Sequence, residues 1–232
     1  MSFRLANYWD FDSSWHALDA QFRAGYMKNL DAFLGSQLAR CHGFYPNKKN
    51  IFKAFDATPL DRVNVVILGR DPYPRKGLAT GLAFAVPATT PIKERPASLR
   101  AILEEIEKDC GATPKASSDL MYWTGEQGVL LLNCALTVRA VKAGTHHRHQ
   151  GWETFTEEVI KLVCKERSGV VFCLWGDTAI RSAQHIDRRC HYVLPANHPS
   201  VWAKARLPFC GCRHFSQVNA LLKAQRKKQI RW

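Results

Sequence analysis

Four short segments of the chain carry residue types suited to acid–base and hydrogen-bond chemistry. Gly69-Arg70-Asp71-Pro72-Tyr73-Pro74 sets a carboxylate among prolines that stiffen the backbone around it. A carboxylate fixed there suits a general base, or electrostatic support of a developing cation; an Asp beside Pro is also a common turn residue. Gly81-Leu82-Ala83-Phe84-Ala85-Val86 offers Phe84, a ring that stacks on a base if it lines a cleft and is core otherwise. Leu131-Leu132-Asn133 ends an apolar run with an amide. An amide presents one acceptor beside two donors, which pairs with a pyrimidine edge carrying a carbonyl next to an N–H; local turn capping is the alternative use. Asn197-His198-Pro199-Ser200-Val201-Trp202 supplies an imidazole that can donate a proton or a hydrogen bond. Trp202 lies beside Lys204 and Arg206, and an aromatic amid cations suits nucleic acid.

The elements around these segments bring them together. Val63-Asn64-Val65-Val66-Ile67-Leu68 ends at Gly69 and has the pattern of a buried strand. Gly128 to Asn133, Val170 to Trp175 and His191 to Leu194 repeat that pattern. Helical stretches are expected from Ser98, as cap, to about Lys108, from Gly151 to about Lys165, from Asp177 to Gln184, and from about His214 onward. Upstream, Leu18, Phe22, Tyr26, Leu30, Phe33 and Leu34 predict a helix over about Trp15 to Arg40. Pro91, Pro96, Pro114, Pro195 and Pro199 fall between elements. Alternating strands and helices predict a three-layer α/β fold, with a central, mostly parallel four-stranded sheet and helices on both faces. Residues 1–232 are expected to form one domain, including a short N-terminal helical segment over 1–55 and a basic tail over 223–232, read as a solvated helix end. Ligands bind open parallel sheets at the carboxyl edge. Asp71, Asn133, Gly176 with Asp177, and His198 each follow a strand, so the pattern predicts one cleft.

Lys plus Arg number 33 against 20 Asp plus Glu, a formal net charge of +13. That excess favours a polyanionic partner. Apolar residues at 46% exclude a disordered chain. The eight cysteines lack C-x-x-C spacing, and Cys134 and Cys173 sit in apolar runs. Reduced thiols, no metal, no cofactor and an intracellular location (cytoplasm, or nucleus if the source is eukaryotic or viral) are the expectation. The N-terminus lacks the apolar core of a signal peptide, and no apolar run reaches membrane-span length.

Taken together, GRDPYP, GLAFAV, LLLN with LTVRA, GWETFT, LWGDTAIR, NHPS and FCGCRHFS resemble the family 1 uracil-DNA glycosylases, in family order over roughly Val63 to Phe215. The resemblance implies excision of uracil from DNA by hydrolysis of the N-glycosidic bond. It matches Asp71 to the carboxylate that positions water and supports the oxocarbenium-like sugar. It matches His198 to the imidazole that donates to uracil O2, and Asn133 to the amide that pairs with O4 and N3. Phe84 matches the ring stacked on the flipped base, Tyr73 the ring that excludes the thymine methyl, and Arg70 a residue at the uracil pocket. Pro96, Ser98, Gly176 and Ser200 match DNA-contacting positions, Trp202 the wedge that enters the stack, and Arg206 a basic residue beside it. The implied partners are single- or double-stranded DNA containing uracil and a protein inhibitor of the family; a monomer with no membrane association is expected. Four departures from the family pattern stand out. Arg70 replaces Gln, Pro74 replaces His, Asp177 replaces a phosphate-binding Ser, and Val201-Trp202 replaces Pro-Leu. With the high charge, Pro74 and Asp177 leave open a DNA-binding or processivity protein with reduced or absent excision.

Overall fold

The computed structural model describes residues 3–9, 13–40, 42–111, 118–140, 147, 149–200 and 207–232. Its centre is a sheet of β2 (Val65–Gly69), β3 (Val129–Asn133), β5 (Val171–Trp175) and β6 (Tyr192–Ala196), ordered β3-β2-β5-β6. All three pairings are parallel. Every residue of β2, β3 and β5 is buried, as expected where helices cover both faces and strands become continuous apolar runs. The fold is the three-layer α/β architecture that the alternation of elements predicts.

A second, two-stranded antiparallel ladder joins β1 (Phe44–Tyr45) to β4 (Val138–Arg139). The surrounding helices are α1 (Gly25–Ala39), α2 (Lys53–Ala57), α3 (Ala97–Cys110), α4 (Trp152–Glu166), α5 (Asp177–Arg181) and α6 (His214–Ala224). α3 packs against α6, and α4 against α1. Among the described residues, no helix is long and apolar enough to cross a membrane.

Several expectations change. The helix expected over about Trp15 to Arg40 is two elements, a 3-10 segment over Ser13–Arg23 and then α1. Ala24 between them is extended (ψ 152°), so the apolar spacing persists while the backbone turns. Trp15 is fully buried, and its Nε1 donates to the Thr58 carbonyl at 3.1 Å. Pro195 lies inside β6, opposite Leu174, rather than in a loop. β6 is an edge strand, where one side of the backbone has no ladder to lose. The cap of α3 is Pro96, not Ser98. Proline's fixed φ suits a helix entrance, and Ser98 is left inside the first turn. The basic tail is not a solvated helix end. α6 stops at Ala224, and the chain folds back so that Ile230 and Trp232 are buried. The Asn219 side chain brackets Ile230 with two hydrogen bonds of 2.9 and 2.8 Å, and Trp232 Nε1 donates to the Phe215 carbonyl at 3.0 Å. Pro114 and Cys41 lie outside the described residues; the other seven cysteines are free thiols.

Candidate active site

The carboxyl ends of β2 and β3 are in register, Gly69 opposite Asn133. The ladder continues past the strands, because Cys134 N–H donates to the Gly69 carbonyl and Ala135 N–H to the Arg70 carbonyl, both at 3.0 Å. Gly69 and Arg70, which lead into Asp71, are therefore held by backbone hydrogen bonds beyond the end of the strand pairing. The Asp71 side chain is only 8% exposed, and Arg70 Nε donates to its Oδ1 at 3.0 Å. The cation that replaces a neutral residue of the family pattern thus faces the carboxylate directly.

Asn133 is 5% exposed. Among the described residues none hydrogen-bonds its side-chain amide, whereas its backbone carbonyl region is fixed by Thr156, whose Oγ1 donates to the Cys134 carbonyl at 3.0 Å. A nearly buried amide with its acceptor and donors unspent is uncommon, because buried polar groups are normally paired. The amide sits tight against Gly69. A Cβ placed on Gly69 would lie 2.6 Å from Asn133 Oδ1 and 3.0 and 3.1 Å from two carbons of the Phe84 ring. Gly69, Asn133 and Phe84 are one contact cluster.

Phe84 has φ of 64°, a backbone state that a bulky residue adopts only when its surroundings enforce it. Two contacts do so. Ala83 N–H donates to the Leu131 carbonyl at 3.1 Å, fastening the loop to β3. Tyr73 Oη donates to the Phe84 carbonyl at 3.0 Å and lies 3.0 Å from Ser98 Oγ. The phenol has one hydrogen, so Ser98 donates in turn to Tyr73. Burial pushes the Tyr73 phenol up, which keeps that hydrogen in place. Replacing Tyr73 by Phe will leave the Phe84 carbonyl and Ser98 hydroxyl unpaired at a cost of about 1–2 kcal/mol, measured as a lowered melting temperature.

The Phe84 ring lies 5.3 Å from Trp175 and 5.6 Å from His198, centroid to centroid. Gly176 permits the approach of His198: its φ is 102°, and a Cβ there would stand 3.2 Å from His198 Cβ. Gly176 N–H donates to the Ala196 carbonyl at 2.8 Å, joining the exits of β5 and β6. His198 Nδ1 accepts from the Ser200 backbone N–H at 3.2 Å and lies 2.8 Å from Ser200 Oγ. That acceptor role leaves the proton of the neutral ring on Nε2. Burial pushes the His198 pKa down to about 4, the Arg70 cation adds to this, and the Asp71 carboxylate opposes it. The protonated form is the one disfavoured, so the ring stays neutral as pH falls until about 4. Ring-nitrogen NMR will show a neutral imidazole with bare Nδ1 at pH 7; an imidazolium there would contradict the geometry.

The structure thus gathers Arg70, Asp71, Tyr73, Phe84, Asn133, Gly176 and His198 at one sheet edge, with Ser200 exposed beside them. Pro96 stands at the entrance of α3, and Ser98 is 3% exposed with its hydroxyl turned to Tyr73. Trp202 and Arg206 lie outside the described residues. Sequence reading passed over Trp175, which backs Phe84, and Thr156, which fixes the strand exit; both stand in segments of the family pattern, LWGD and GWETFT. Among the described residues, no three His, Cys, Asp or Glu side chains are grouped to hold a metal ion.

A parallel sheet whose carboxyl edge gathers a rigid carboxylate, an unspent amide, an aromatic ring and a neutral imidazole is the layout of an α/β enzyme for a planar, uncharged ring. No family model matches the chain. A uracil-DNA glycosylase of Porphyromonas gingivalis is 47% identical over 216 residues, covering 93% of this chain and 94% of its own length. Among solved structures, mimivirus uracil-DNA glycosylase superposes with a TM-score of 0.89 at 26% identity, over 100% of this chain and 90% of its own. A variant of that mimivirus protein in complex with UGI gives 0.87 at 27% identity, over 100% of this chain and 91% of its own. The chain belongs to the uracil-DNA glycosylase family: it is a DNA-repair hydrolase that excises uracil from DNA and leaves an abasic site.

Proposed function

We propose that the chain is a family 1 uracil-DNA glycosylase, folded as one domain over residues 1–232, in which the gathered edge residues divide the work of hydrolysis. The observation that carries this reading is the unspent Asn133 amide beside Phe84 and His198. A uracil flipped from the stack would lie on the Phe84 ring and pair O4 and N3 with Asn133. The neutral His198, its proton on Nε2, would donate to uracil O2 as negative charge builds on the leaving base. Asp71 would position the water and offset the positive charge on the sugar, a role that gains weight in a site of low dielectric. Arg70 would set the carboxylate by its 3.0 Å contact. Tyr73, locked at both ends of its hydroxyl, would exclude the methyl of thymine by clash rather than by lost contact. Water is the nucleophile in this scheme and no cofactor or metal enters it.

Pro96, Gly176, Ser200, Trp202 and Arg206 form the proposed DNA-side group. For Ser98, the buried hydroxyl favours positioning of Tyr73 over direct contact with phosphate. The UGI complex of the mimivirus protein supports a protein inhibitor of the family as a partner. A monomeric, intracellular enzyme acting on single- or double-stranded DNA completes the reading. Matched oligonucleotides carrying U, T or C at one position, incubated with the protein in EDTA, test it. Abasic sites are expected at U alone; release of T or C, or dependence on added metal, would overturn it.

A further inference from the structure

Trp175 is fully buried at the end of β5, and its Nε1 donates to Nδ1 of His214 at 3.0 Å. A buried indole N–H needs an acceptor, and His214 supplies it. His214 is itself buried and is the first residue of α6. Burial pushes its pKa down to about 4 against the opposing pull of Asp109. The ring is therefore neutral near pH 7, with Nδ1 accepting and the proton on Nε2. The scheme for hydrolysis makes no use of this second neutral imidazole.

Trp175 packs on Phe84 at 5.3 Å, on Phe209 at 4.9 Å and on Phe215 at 6.0 Å, centroid to centroid. Such ring contacts tolerate slip, whereas a hydrogen bond fixes a direction. The acceptor is itself held in place. Arg213, just before His214, has φ of 54°, a state that needs support from its surroundings. Glu105 of α3 provides it: the buried carboxylate accepts from the N–H groups of Gly211 at 2.7 Å and Arg213 at 3.0 Å. One turn further along α3, Asp109 accepts from the Ser216 N–H at 2.8 Å and the Ser216 hydroxyl at 2.6 Å. Two carboxylates thus hold the start of α6, His214 holds Trp175, and Trp175 backs Phe84.

We propose that His214 is a positioning residue for uracil recognition: its Nδ1 sets the tilt of the Trp175 indole, and the indole sets the Phe84 ring on which the base stacks. The inference rests on the reading of the carboxyl edge as the uracil site. Its effect falls on the base and not on the DNA backbone.

The test compares His214→Leu, which removes the acceptor at similar volume, with His214→Asn, whose amide oxygen can stand close to the place of Nδ1. His214→Leu should weaken binding of free uracil about tenfold, raise KM for uracil-containing DNA, and leave affinity for undamaged DNA unchanged. His214→Asn should recover most of the loss. The indole N–H resonance of Trp175 should move in the Leu variant and return in the Asn variant. Unchanged uracil affinity in His214→Leu overturns the proposal, as does an equal loss in both variants. The Trp175→Phe background carries the test if His214→Leu alone does not fold. No N–H there waits for an acceptor, so adding His214→Leu should leave uracil affinity where Trp175→Phe puts it, and a further loss overturns the proposal. Phe84→Leu, run alongside, separates the two readings. Weakened uracil binding in Phe84→Leu with none in His214→Leu sinks the positioning role alone, whereas full uracil binding in Phe84→Leu sinks the reading of the site.

Discussion

Asp71→Asn will slow uracil release about 10³-fold in single turnover while leaving DNA binding intact. The substitution keeps the shape of the side chain, and an amide oxygen can still accept from Arg70 Nε, which now lies 3.0 Å from Oδ1. The surrounding ladder from Gly69 and Arg70 to Cys134 and Ala135 involves backbone alone and is untouched. What disappears is the negative charge. With the carboxylate 8% exposed, that charge acts through a medium that screens it far less than water does, so on the proposed role its loss falls on the step in which the sugar becomes cationic. DNA affinity has no reason to drop, because a carboxylate near phosphates repels them. Rapid-quench kinetics with an electrophoretic binding assay measure the two quantities apart. A loss of less than tenfold would mean that water and sugar are served by another group.

The same ion pair shapes His198. Asp71 alone would draw a proton to the imidazole, and Arg70 opposes that pull. Burial does most to keep the imidazole neutral, so on the proposed division of work a carboxylate serving the sugar cation can stand near a neutral His198. The Ser200 N–H on Nδ1 adds a second, local restraint, since that nitrogen cannot both accept and carry the proton. Arg70, a departure from the family pattern, is compatible with the proposed chemistry because it pairs with Asp71 and disfavours protonation of His198.

The four central strands were legible because buried parallel strands are unbroken apolar runs, such as Val65 to Leu68 and Val129 to Leu132. The shared edge followed from the polar residues that end them. Less legible were features decided by distant partners. The break at Ala24 leaves the helical spacing of Phe22, Tyr26 and Leu30 intact, so periodicity alone cannot reveal it. Pro195 reads as a loop residue until β6 is known to be an edge. β1 and β4 have two residues each, too few for a pattern. In the tail, Ile230 and Trp232 outweigh the surrounding cations because they find cover against α6. At the site, residue types were visible but their couplings were not. Ser98 looked like a cap and is instead the donor that completes Tyr73; the link spans 25 residues and depends on the loop fold.

Gly69→Ala will lower kcat/KM for uracil excision about 100-fold, the cost expected when a catalytic geometry is displaced by about 1 Å. The position has no backbone need for glycine, since Gly69 lies outside the positive-φ region and inside β2. The obstacle is space. The new methyl would meet Asn133 Oδ1 at 2.6 Å and the Phe84 ring at 3.0 and 3.1 Å, well inside ordinary contact. The ring cannot retreat freely, being backed by Trp175 and attached to a backbone pinned by Tyr73. The Asn133 amide must therefore yield, and its acceptor and donors lose the alignment proposed to read a uracil edge. Overpacking should cost about 1–3 kcal/mol of stability, which leaves a folded protein for kinetics. Free uracil should also bind less well to the variant, while affinity for undamaged DNA holds, because the methyl would press on Asn133 and Phe84, the proposed base-binding residues, and not on the proposed DNA-side group. Full activity in Gly69→Ala would show that the amide has room to move without cost, and the tight cluster of Gly69, Asn133 and Phe84 would then be packing rather than recognition.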